Sequence, residues 1–365
     1  MDNKMTVHMN GQPIYDIIFT QSFDALPEEM ERLNIKNRRI MVVSDMNVGT
    51  IYTQGIVDLL RDYCKEIQSF IFKAGEKNKN LDVVRSLYEA LIVNEFDRGD
   101  MLVALGGGVV GDLTGFAAAT YLRGIDFVQI PTSLLAQADS SIGGKTGVDF
   151  SSYKNMVGAF HMPKLVYINV STLNSLPDRE FVSGMGEIIK YGMIRDADYF
   201  RWLMQHTRDI KAKDTETLLE MLRVSCNIKR EIVEKDPKEQ GDRALLNLGH
   251  TIGHAIEKTL NFELLHGECV AMGLIFSSKL SEQKGLISYE DYEEICDLIT
   301  AFEFPDFPED LNIKKVIKAT KNDKKRASGQ IKFIVLKKIG EACIDMSVTD
   351  EDMENAINAV YEEIE

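Results

Sequence analysis

The chain has 365 residues, of which 44% are hydrophobic and 27% charged, and its formal net charge at pH 7 is −15. This length and composition predict a globular protein of two domains. The strong negative charge disfavours nucleic acid and anionic membrane surfaces as partners. No apolar run reaches the roughly 18 residues of a membrane span, and the N-terminal residues lack the apolar core of a secretory signal.

The cysteines indicate a reducing compartment. There are five of them, scattered along the chain and without any C-x-x-C pair: Cys64, Cys226, Cys269, Cys296 and Cys343. An odd, dispersed set argues against a disulfide framework and against a thiolate zinc site. We therefore expect a cytoplasmic protein.

The first half of the chain alternates strand and helix patterns. Strands are predicted at Ile14–Phe19, Arg39–Ser44, Ser69–Phe72, Met101–Leu105, Phe127–Ile130 and Leu165–Ile168. Helices are predicted at Ile51–Cys64 and Leu81–Asn94. Such a βαβ series indicates a mostly parallel sheet covered by helices.

After Pro177 the pattern changes to long periodic helices, so the predicted domains are 1–177 and 178–365. The predicted helices are Arg179–Tyr191, Ala197–His206, Thr215–Lys235, Arg243–Thr259, Cys269–Lys284 and Tyr289–Thr300. A hairpin is predicted from Ile331–Leu336 to Ala342–Met346. Thr349 is predicted to cap a last, acidic helix that ends at Glu363.

A glycine-rich turn follows the predicted strand Met101–Leu105 and opens a helix. Gly106, Gly108 and Gly111 have the G-x-G-x-x-G spacing, which lets a pyrophosphate approach the backbone at a helix N-terminus. This setting favours nucleotide binding over a purely structural turn. Asp45, at the end of an earlier strand, is a candidate ligand for a ribose hydroxyl.

A polar stretch punctuated by glycines, Pro131 to Lys154, follows another predicted strand. Loops at the carboxyl ends of parallel strands are where ligands of α/β sheets bind, and lysines there can bind phosphate or carboxylate. The alternative is a solvated polar loop. Lys145 and Thr146 resemble the end of a P-loop, but Asp139 stands where that motif needs its first glycine, so a Walker A motif is excluded.

Four polar residues would share one face of the predicted helix Arg243–Thr259. At about 100° per residue, Arg243, Asn247, His250 and His254 fall within an arc of about 60°. An ordinary solvated face would carry mostly lysine and glutamate. This face therefore predicts the lining of a site, with Gly249 and Gly253 letting a neighbour approach its flank.

Histidines and a carboxylate in this region predict a metal site. Imidazole and carboxylate are the ligands of Zn²⁺ and similar ions. Spacing alone favours His250 and His254 as ligands, with His266 as the third. Glu187, an acid in a small and apolar run, is the competing candidate. Spacing does not decide between His254 and Glu187.

Five segments resemble the 3-dehydroquinate synthase family: Gly106–Asp112, Pro131–Asp149, Gly184–Lys190, Arg243–His254 and His266–Gly273. The resemblance extends in order from Arg39 to Arg326. It implies an α/β fold, with a Rossmann-like, NAD-binding N-terminal domain and a mostly α-helical, metal-binding C-terminal domain. It also implies an active site in the cleft between the domains, and a homodimer.

The resemblance also implies roles for individual residues. Glu187, His250 and His266 match ligands of a Zn²⁺ or Co²⁺ ion. The positions expected to contact NAD are Asp45, Asn47, Glu76, Lys79, Gly107, Gly108, Val109, Asp112, Thr132, Ser133, Lys145, Lys154, Thr172 and Ser175. Ser133 departs slightly from the family pattern, where many members have threonine, but the hydroxyl is kept.

Substrate contacts are implied in the same way. They are Arg123, Asp139, Lys145, Lys154, Asn155, Lys190, Lys229, Arg243, Asn247, His254 and Lys324. The expected catalytic residues among them are Lys145, Lys190, Arg243, Asn247, His254 and Lys324. Lys154 matches a phosphate-binding lysine, and Arg123 matches an arginine that the family lends across the dimer to the substrate phosphate.

The implied reaction converts 3-deoxy-D-arabino-heptulosonate 7-phosphate to 3-dehydroquinate and phosphate, within the shikimate pathway of aromatic amino acid biosynthesis. NAD would take and return a hydride without being consumed, and the metal would polarise a substrate oxygen. Two alternatives share this architecture: a sugar phosphate cyclase with another substrate, and a metal-dependent polyol dehydrogenase with net NAD turnover. A non-enzymatic binding module is hard to reconcile with a cofactor loop and a ligand set together.

Overall fold

The chain divides into two compact units. The computed structural model describes residues 3–151, 153–239, 241–324 and 332–364, and of 322–324 it describes the backbone alone. The sheet unit comprises Met1–Leu176 and Leu218–Arg230, and the helical unit comprises Pro177–Thr217 and Glu231–Glu365. Within these described ranges, no helix combines the length and the apolar character that crossing a membrane requires.

The strands of the sheet unit are β1 (Lys4–Met9), β2 (Gln12–Thr20), β3 (Arg39–Asp45), β4 (Glu66–Phe72), β5 (Met101–Gly106), β6 (Asp126–Pro131), β7 (Lys145–Phe150), β8 (Tyr153–Phe160) and β9 (Leu165–Asn169). In the part of the chain that the structure describes, seven of them form one sheet in the order β1-β2-β9-β6-β5-β3-β4. Its neighbours are parallel except for the antiparallel pair β1–β2. The predicted parallel sheet is confirmed, whereas β1 was not predicted.

Both faces of the central strands are buried, which explains their continuous apolar sequence. Ile40, Val42 and Val103 lie in one hydrophobic cluster, while Val43 and Ala104 lie in another. Successive residues of a strand point to opposite faces, so each strand contributes to both clusters. A strand covered on both faces has no polar alternation, and the short apolar runs therefore sufficed to predict it.

Helices cover the two faces. They are α1 (Leu26–Glu31), α2 (Met46–Val48), α3 (Gln54–Leu60), α4 (Leu81–Val93) and α5 (Gly108–Thr120). The predicted helix Ile51–Cys64 is a continuous helical run of three types, with π-helical turns at Gly49–Thr53 before α3 and a 3₁₀ turn at Arg61–Tyr63 after it. Leu87 of α4 and Leu113 of α5 lie in one cluster, while Leu26 and Ile56 lie in the other.

The polar stretch Pro131–Lys154 is not the loop that the sequence predicted. It contains a π-helical turn at Ala136–Ser140 and then strand β7, which pairs with β8 in an antiparallel hairpin. Thr146 of β7 is buried and donates its hydroxyl to the carbonyl of Ala159, at 3.0 Å. In the sequence, polar residues that form internal hydrogen bonds cannot be distinguished from the polar residues of a loop. Strand β7 was therefore not predicted.

The helical unit consists of α6 (Asp178–Arg195), α7 (Ala197–Gln205), α8 (Thr207–Lys211), α9 (Thr215–Lys235), α10 (His250–Thr259), α11 (His266–Gln283), α12 (Tyr289–Ala301), α13 (Ile313–Lys324) and α14 (Asp350–Ile364), with a hairpin of β10 (Phe333–Lys338) and β11 (Glu341–Asp345). The predicted hairpin is confirmed except at Ile331, which lies outside the described residues. The predicted cap is confirmed, because Thr349 Oγ1 accepts from the backbone N–H of Asp352 at 3.1 Å. Helix α13 was not predicted.

The middle of α9, Leu218–Arg230, groups with the sheet unit. Arg223 Nη2 donates to Asn3 Oδ1 at 3.0 Å, and Lys229 Nζ donates to Asp139 Oδ1 at 2.7 Å. The sequence placed all of this helix after a single boundary at residue 177. Contacts between residues so far apart along the chain do not affect the local periodicity from which the helix was predicted.

The predicted helix Arg243–Thr259 is wrong as one continuous element. A 3₁₀ helix spans Asp242–Asn247, and α10 begins only at His250. Gly249 separates them with a φ of 78°, a conformation that favours glycine. Arg243 and Asn247 therefore do not share a helical face with the histidines of α10, and the predicted arc of four residues does not exist.

Candidate active site

Glycine contacts bring α6 and α11 close enough for their polar residues to meet. A Cβ atom at Gly267 would lie 1.7 Å from the carbonyl oxygen of Ser183, and one at Gly186 would lie 2.5 Å from the carbonyl oxygen of Gly267. The Gly267 N–H also donates to Ser183 Oγ at 3.1 Å. This close backbone contact places Glu187 of α6 beside His266, the first residue of α11.

A second glycine contact joins α11 to the turn before α10. A Cβ atom at Gly273 would lie 1.9 Å from the carbonyl oxygen of Gly249. A Cβ at Gly253 would lie 2.7 Å from the carbonyl oxygen of Cys269. The sequence prediction that Gly249 and Gly253 admit a close neighbour is therefore correct, and α11 is that neighbour.

Glu187, His250 and His266 converge on one point. Oε1 of Glu187 lies 3.1 Å from His250 Nε2 and 3.3 Å from His266 Nε2. Ligand atoms about 2.0–2.1 Å from a tetrahedral Zn²⁺ are separated by about 3.3 Å. The carboxylate and two imidazole nitrogens therefore have the chemistry and the spacing of a zinc-type site.

His254 belongs to the same cluster. Its ring centroid lies 5.1 Å from that of His250 and 5.5 Å from that of His266. One nitrogen from each of these three histidines lies within 4.8 Å of the others, which is also compatible with a shared ion. The structure thus brings together all four candidates.

Glu187 is charged although it is buried. It is 1% exposed, and its Oε2 accepts a hydrogen bond from the ammonium of Lys190, which is equally buried. Burial by itself would raise the pKa of Glu187, but the charges of Lys190 and His250 and the hydrogen bonds from the two imidazoles lower it well below its ordinary value. A carboxylate that stays ionised is a competent metal ligand.

The Nδ1 atoms of the two histidines face acceptors. His250 Nδ1 lies 3.0 Å from the carbonyl oxygen of Leu248, and His266 Nδ1 lies 3.7 Å from Oε2 of Glu257. An acceptor at Nδ1 favours a proton on that nitrogen, so Nε2 is the nitrogen available to a metal once the metal displaces its proton. Burial favours a neutral His266, but Glu187 and Glu257 outweigh it and raise the pKa of His266 to about 9.

Sequence reasoning missed Glu257. It lies on α10, three residues after His254 and seven after His250, and it is 4% exposed. The available signal in the sequence was its position directly after two apolar residues. Such a position predicts a buried carboxylate, and a buried carboxylate needs a partner. The neighbour that supplies this partner is on α11, so the local sequence did not identify it.

Three further predicted substrate residues belong to the helical unit. Arg243 is 2% exposed, and its Nη1 donates to the carbonyl of Pro237 at 2.8 Å. Asn247 Nδ2 lies 3.4 Å from Oε1 of Glu239. The side chain of Lys324 is outside the described residues, as is all of Lys325. Roles for these residues in substrate binding remain predictions.

The glycine turn of the sheet unit follows β5 and opens α5. Gly107 and Gly108 face hydroxyls, since Cβ atoms there would lie 3.2 Å from Ser133 Oγ and 3.1 Å from Ser140 Oγ. Gly111 differs from them, because its Cβ would lie 2.5 Å from Gln129 Oε1. Gly111 therefore serves helix–strand packing, which is the third glycine's role in such motifs.

An ion-pair network lies beside this turn. Lys79 Nζ donates to Asp112 Oδ2 at 2.9 Å and lies 3.6 Å from Glu76 Oε1, which is also 3.8 Å from Lys154 Nζ. Burial disfavours the charge of Lys79, but Asp112 and Glu76 together raise its pKa. The Lys79 carbonyl accepts from the N–H of Asp149 at 2.8 Å, which ties the network to β7. Four residues predicted to contact the cofactor or substrate thus meet.

Other predicted contacts are held by the fold. Asp45 Oδ1 caps α2, accepting from the N–H groups of Asn47 and Val48 at 2.9 and 3.0 Å. Thr172 is fully buried, and its hydroxyl donates to the carbonyl of Asn169 at 2.9 Å. Of the remaining positions of the sheet unit, Val109 lies in the first turn of α5, Lys145 begins β7 and Asn155 lies in β8, while Thr132, Ser133 and Ser175 lie outside the helices and strands. Their cofactor and substrate roles remain predictions.

Two predicted substrate residues of the sheet unit differ in their surroundings. Lys229 is buried and paired with Asp139, as described above. Arg123 is exposed and has a φ of 71°. Among the described residues, Arg123 forms neither a hydrogen bond nor an ion pair. A charged residue held in a strained conformation without an internal partner is typical of a binding surface.

Two family models match successive parts of the chain. The model described as 3-dehydroquinate synthase N-terminal matches residues 69–183, and the one described as 3-dehydroquinate synthase C-terminal matches residues 184–326. The chain belongs to the 3-dehydroquinate synthase family. The resemblance seen in the five sequence segments is thereby confirmed.

Curated relatives and a solved structure agree with this 3-dehydroquinate synthase membership. The 3-dehydroquinate synthase of Acetivibrio thermocellus is 41% identical over 96% of this chain and 97% of its own. The 3-dehydroquinate synthase of Shewanella pealeana is 42% identical over 95% of this chain and 97% of its own. The 2-epi-5-epi-valiolone synthase of Streptomyces hygroscopicus subsp. jinggangensis 5008, solved with NAD⁺ and Zn²⁺ bound, is 27% identical with a TM-score of 0.89 over 96% of this chain and 97% of that one.

Proposed function

We propose that this chain is a 3-dehydroquinate synthase, which converts 3-deoxy-D-arabino-heptulosonate 7-phosphate to 3-dehydroquinate and phosphate. Membership of the family supports the activity. The observation that carries the chemistry is the convergence of Glu187, His250 and His266 at 3.1 and 3.3 Å. This donor set suits a borderline divalent ion, for which we propose Zn²⁺ or Co²⁺.

The reaction needs a hydride acceptor and a Lewis acid. NAD at the glycine turn would take a hydride from the substrate's secondary alcohol and later return it, while the ion held by Glu187, His250 and His266 would polarise that oxygen. Oxidation acidifies the neighbouring C–H bond, so phosphate can leave by elimination. After re-reduction the ring opens, and an enolate closes on the carbonyl in an aldol step.

The chain's own residues supply binding and proton transfer. Lys154 and Arg243 bring cationic donors for the phosphate and the carboxylate of the substrate. His254 lies within the cluster, and among the described residues neither of its nitrogens makes a hydrogen bond or ion pair. We assign it the transfer of the alcohol proton, because a neutral imidazole with a free nitrogen is a competent base.

We propose further that the protein works as a cytoplasmic homodimer. The scattered cysteines support a reducing compartment. The exposed, internally unpartnered Arg123 supports a role across an interface, where it would bind the phosphate of the neighbouring subunit's substrate. Analytical ultracentrifugation should show two chains per particle, and Arg123→Ala should raise KM with little change in metal content.

One assay tests the activity. The purified protein is incubated with the heptulosonate phosphate, Zn²⁺ and a small amount of NAD, and phosphate release and NADH are followed together. Many turnovers of phosphate per NAD, without NADH accumulation, are expected. NADH formed in proportion to product would instead indicate a polyol dehydrogenase. If this sugar releases no phosphate, the protein is a cyclase with another substrate.

A further inference from the structure

Glu257 is a buried acid that the proposed reaction does not use. It is 4% exposed on α10, and its Oε2 lies 3.7 Å from Nδ1 of His266 on α11. Its backbone carbonyl separately accepts from the N–H of Phe262 at 2.9 Å, which closes the end of α10. The side-chain carboxylate is directed at the imidazole.

The two ligand histidines have different outer partners. His250 Nδ1 faces a neutral acceptor, the Leu248 carbonyl at 3.0 Å, whereas His266 Nδ1 faces the Glu257 carboxylate. On the inner side both rings point Nε2 at the same atom, Oε1 of Glu187. The geometry is that of a carboxylate–histidine pair directed at a ligand site, present on one histidine only.

We infer that Glu257 is a positioning residue for the metal ion. It keeps the proton of His266 on Nδ1 and fixes the orientation of the ring, so that Nε2 faces the position defined by Glu187 and His250 and gives up its own proton to the metal. Its negative charge also adds to the attraction of the site for a dication. This inference rests on the proposed function, since it presumes that the cluster binds a metal.

The expected loss of metal affinity is estimated from other carboxylates that contact a metal-ligating histidine without binding the metal themselves. Removing such a group typically lowers metal affinity by about 10–100-fold. Glu257→Ala should therefore weaken binding by a factor in that range. Glu257→Gln should fall between it and the wild type, because the amide oxygen still accepts from Nδ1–H while the charge is lost.

The experiment measures metal affinity and not turnover. Metal-free wild type, Glu257→Ala, Glu257→Gln and a control, Glu363→Gln, are titrated with Co²⁺ and Zn²⁺ in competition with a chelator. Glu363 is a carboxylate of the same unit that pairs with Lys279 at 2.6 Å, away from the histidines. We expect the two Glu257 variants to bind more weakly, with a changed Co²⁺ absorption band, and the control to match the wild type.

A double-mutant cycle separates positioning from general support of the fold. In a His266→Ala background, Glu257→Ala should cause no further loss of affinity, because its effect passes through that ring. An equal loss in both backgrounds would overturn the inference in favour of a purely structural role. Thermal unfolding of the metal-free variants verifies folding, and Glu257→Gln carries the test if the alanine variant does not fold.

The outcomes also separate this inference from the proposed function. A wild type that binds no metal ion overturns both. A wild type that binds one ion per chain, with Glu257→Ala within about twofold of it, would overturn the positioning role alone and leave the proposed activity intact.

Discussion

At the scale of single residues, Glu187 shows how a buried charge is kept. Moving an unpaired carboxylate into an apolar interior costs several kcal/mol and would normally neutralise it. Here an ammonium, Lys190, and two imidazoles surround the carboxylate and hold its pKa well below the ordinary value. If Glu187 is a metal ligand, as we propose, its oxygen is therefore already ionised in the metal-free protein.

Substitutions should distinguish the four candidate ligands. Glu187→Ala and His250→Ala should lose the ion, with affinity falling by more than the roughly 100-fold typical of an outer-shell change. His254→Ala should retain one ion per chain and lose turnover, because it is assigned to proton transfer. Metal content after dialysis, measured by atomic absorption, checks both. Loss of the ion in His254→Ala with retention in Glu187→Ala would restore the ligand set that spacing alone favoured.

At the scale of elements, the contact of α6 with α11 determines whether the cluster forms. The helices meet where Gly267 faces the Ser183 carbonyl, and an added Cβ would lie 1.7 Å from that oxygen. Two backbones at this distance leave no room for a methyl group, and a rigid carbonyl cannot turn away as a side chain can. The glycines of these helices are therefore part of the site.

Gly267→Ala should destabilise the helical unit and separate the ligands. We expect the free energy of unfolding to fall by about 1–3 kcal/mol or more, as for other overpacked interiors, together with weaker Zn²⁺ binding. Chemical denaturation and metal titration check the two effects. Gly55→Ala is the matched control, because Gly55 is helical with open space at its Cβ, and it should stabilise by about 0.5–1 kcal/mol. A Gly267→Ala variant with normal stability would contradict this account.

A second element-scale feature ties the start of β6 to the chain entering β3. Asp126 Oδ2 accepts from Arg38 Nη2 at 2.6 Å, and Arg38 Nε also donates to the Gly99 carbonyl. Burial would raise the pKa of Asp126, but Arg38 and Lys164 outweigh it and lower the pKa below its ordinary value. A carboxyl group whose pKa is lower in the folded state stabilises the fold above its unfolded pKa, and this contribution disappears as the pH falls through the folded value.

Asp126→Asn should therefore reduce stability only where the carboxylate is ionised. At neutral pH the loss should be about 1 kcal/mol, since the pair is partly exposed. The difference from the wild type should shrink below about pH 4, the unfolded pKa, and vanish at lower pH. Denaturation curves across this range measure it. Glu28→Gln, which removes an exposed pair with Arg32, should change little at any pH, and a pH-independent loss in Asp126→Asn would contradict the ionic explanation.

At the scale of the whole molecule, a chain of net charge −15 must bind an anionic substrate through local cations. We propose Arg243 as such a group; the residue is 2% exposed. A planar, bidentate donor matches a carboxylate better than a hydroxyl. A sugar phosphate without the carboxylate would lack the group that we propose Arg243 to bind.

The enzyme should thus prefer 3-deoxy-D-arabino-heptulosonate 7-phosphate strongly over sedoheptulose 7-phosphate. Loss of the proposed guanidinium–carboxylate interaction should lower kcat/KM by an amount equivalent to roughly 2–5 kcal/mol. Arg243→Ala should remove most of the discrimination along with most of the activity, and Arg243→Lys should recover charge without the bidentate geometry. Steady-state kinetics with both sugars provides the test. Equal specificity constants in the wild type would reject the dehydroquinate synthase assignment and leave the cyclase fold intact.

The sequence alone determined the features that local chemistry encodes. Continuous apolar runs predicted the parallel strands, because both sheet faces are buried. Thr349 predicted its helix cap, since the hydroxyl bonds to a nearby N–H. The ordered family segments, read as a resemblance, predicted the family to which the chain belongs.

Only the tertiary structure decided the rest. Glu187 and His266 are 79 residues apart, and their contact depends on two glycines that let helices approach. Gly249, where the predicted helix breaks, lies against α11, and Glu257 faces His266 because α10 and α11 pack together. Periodicity records how a segment relates to its own neighbours in sequence. Packing between distant segments determines which carboxylate contacts which imidazole. Local sequence patterns therefore do not predict these contacts.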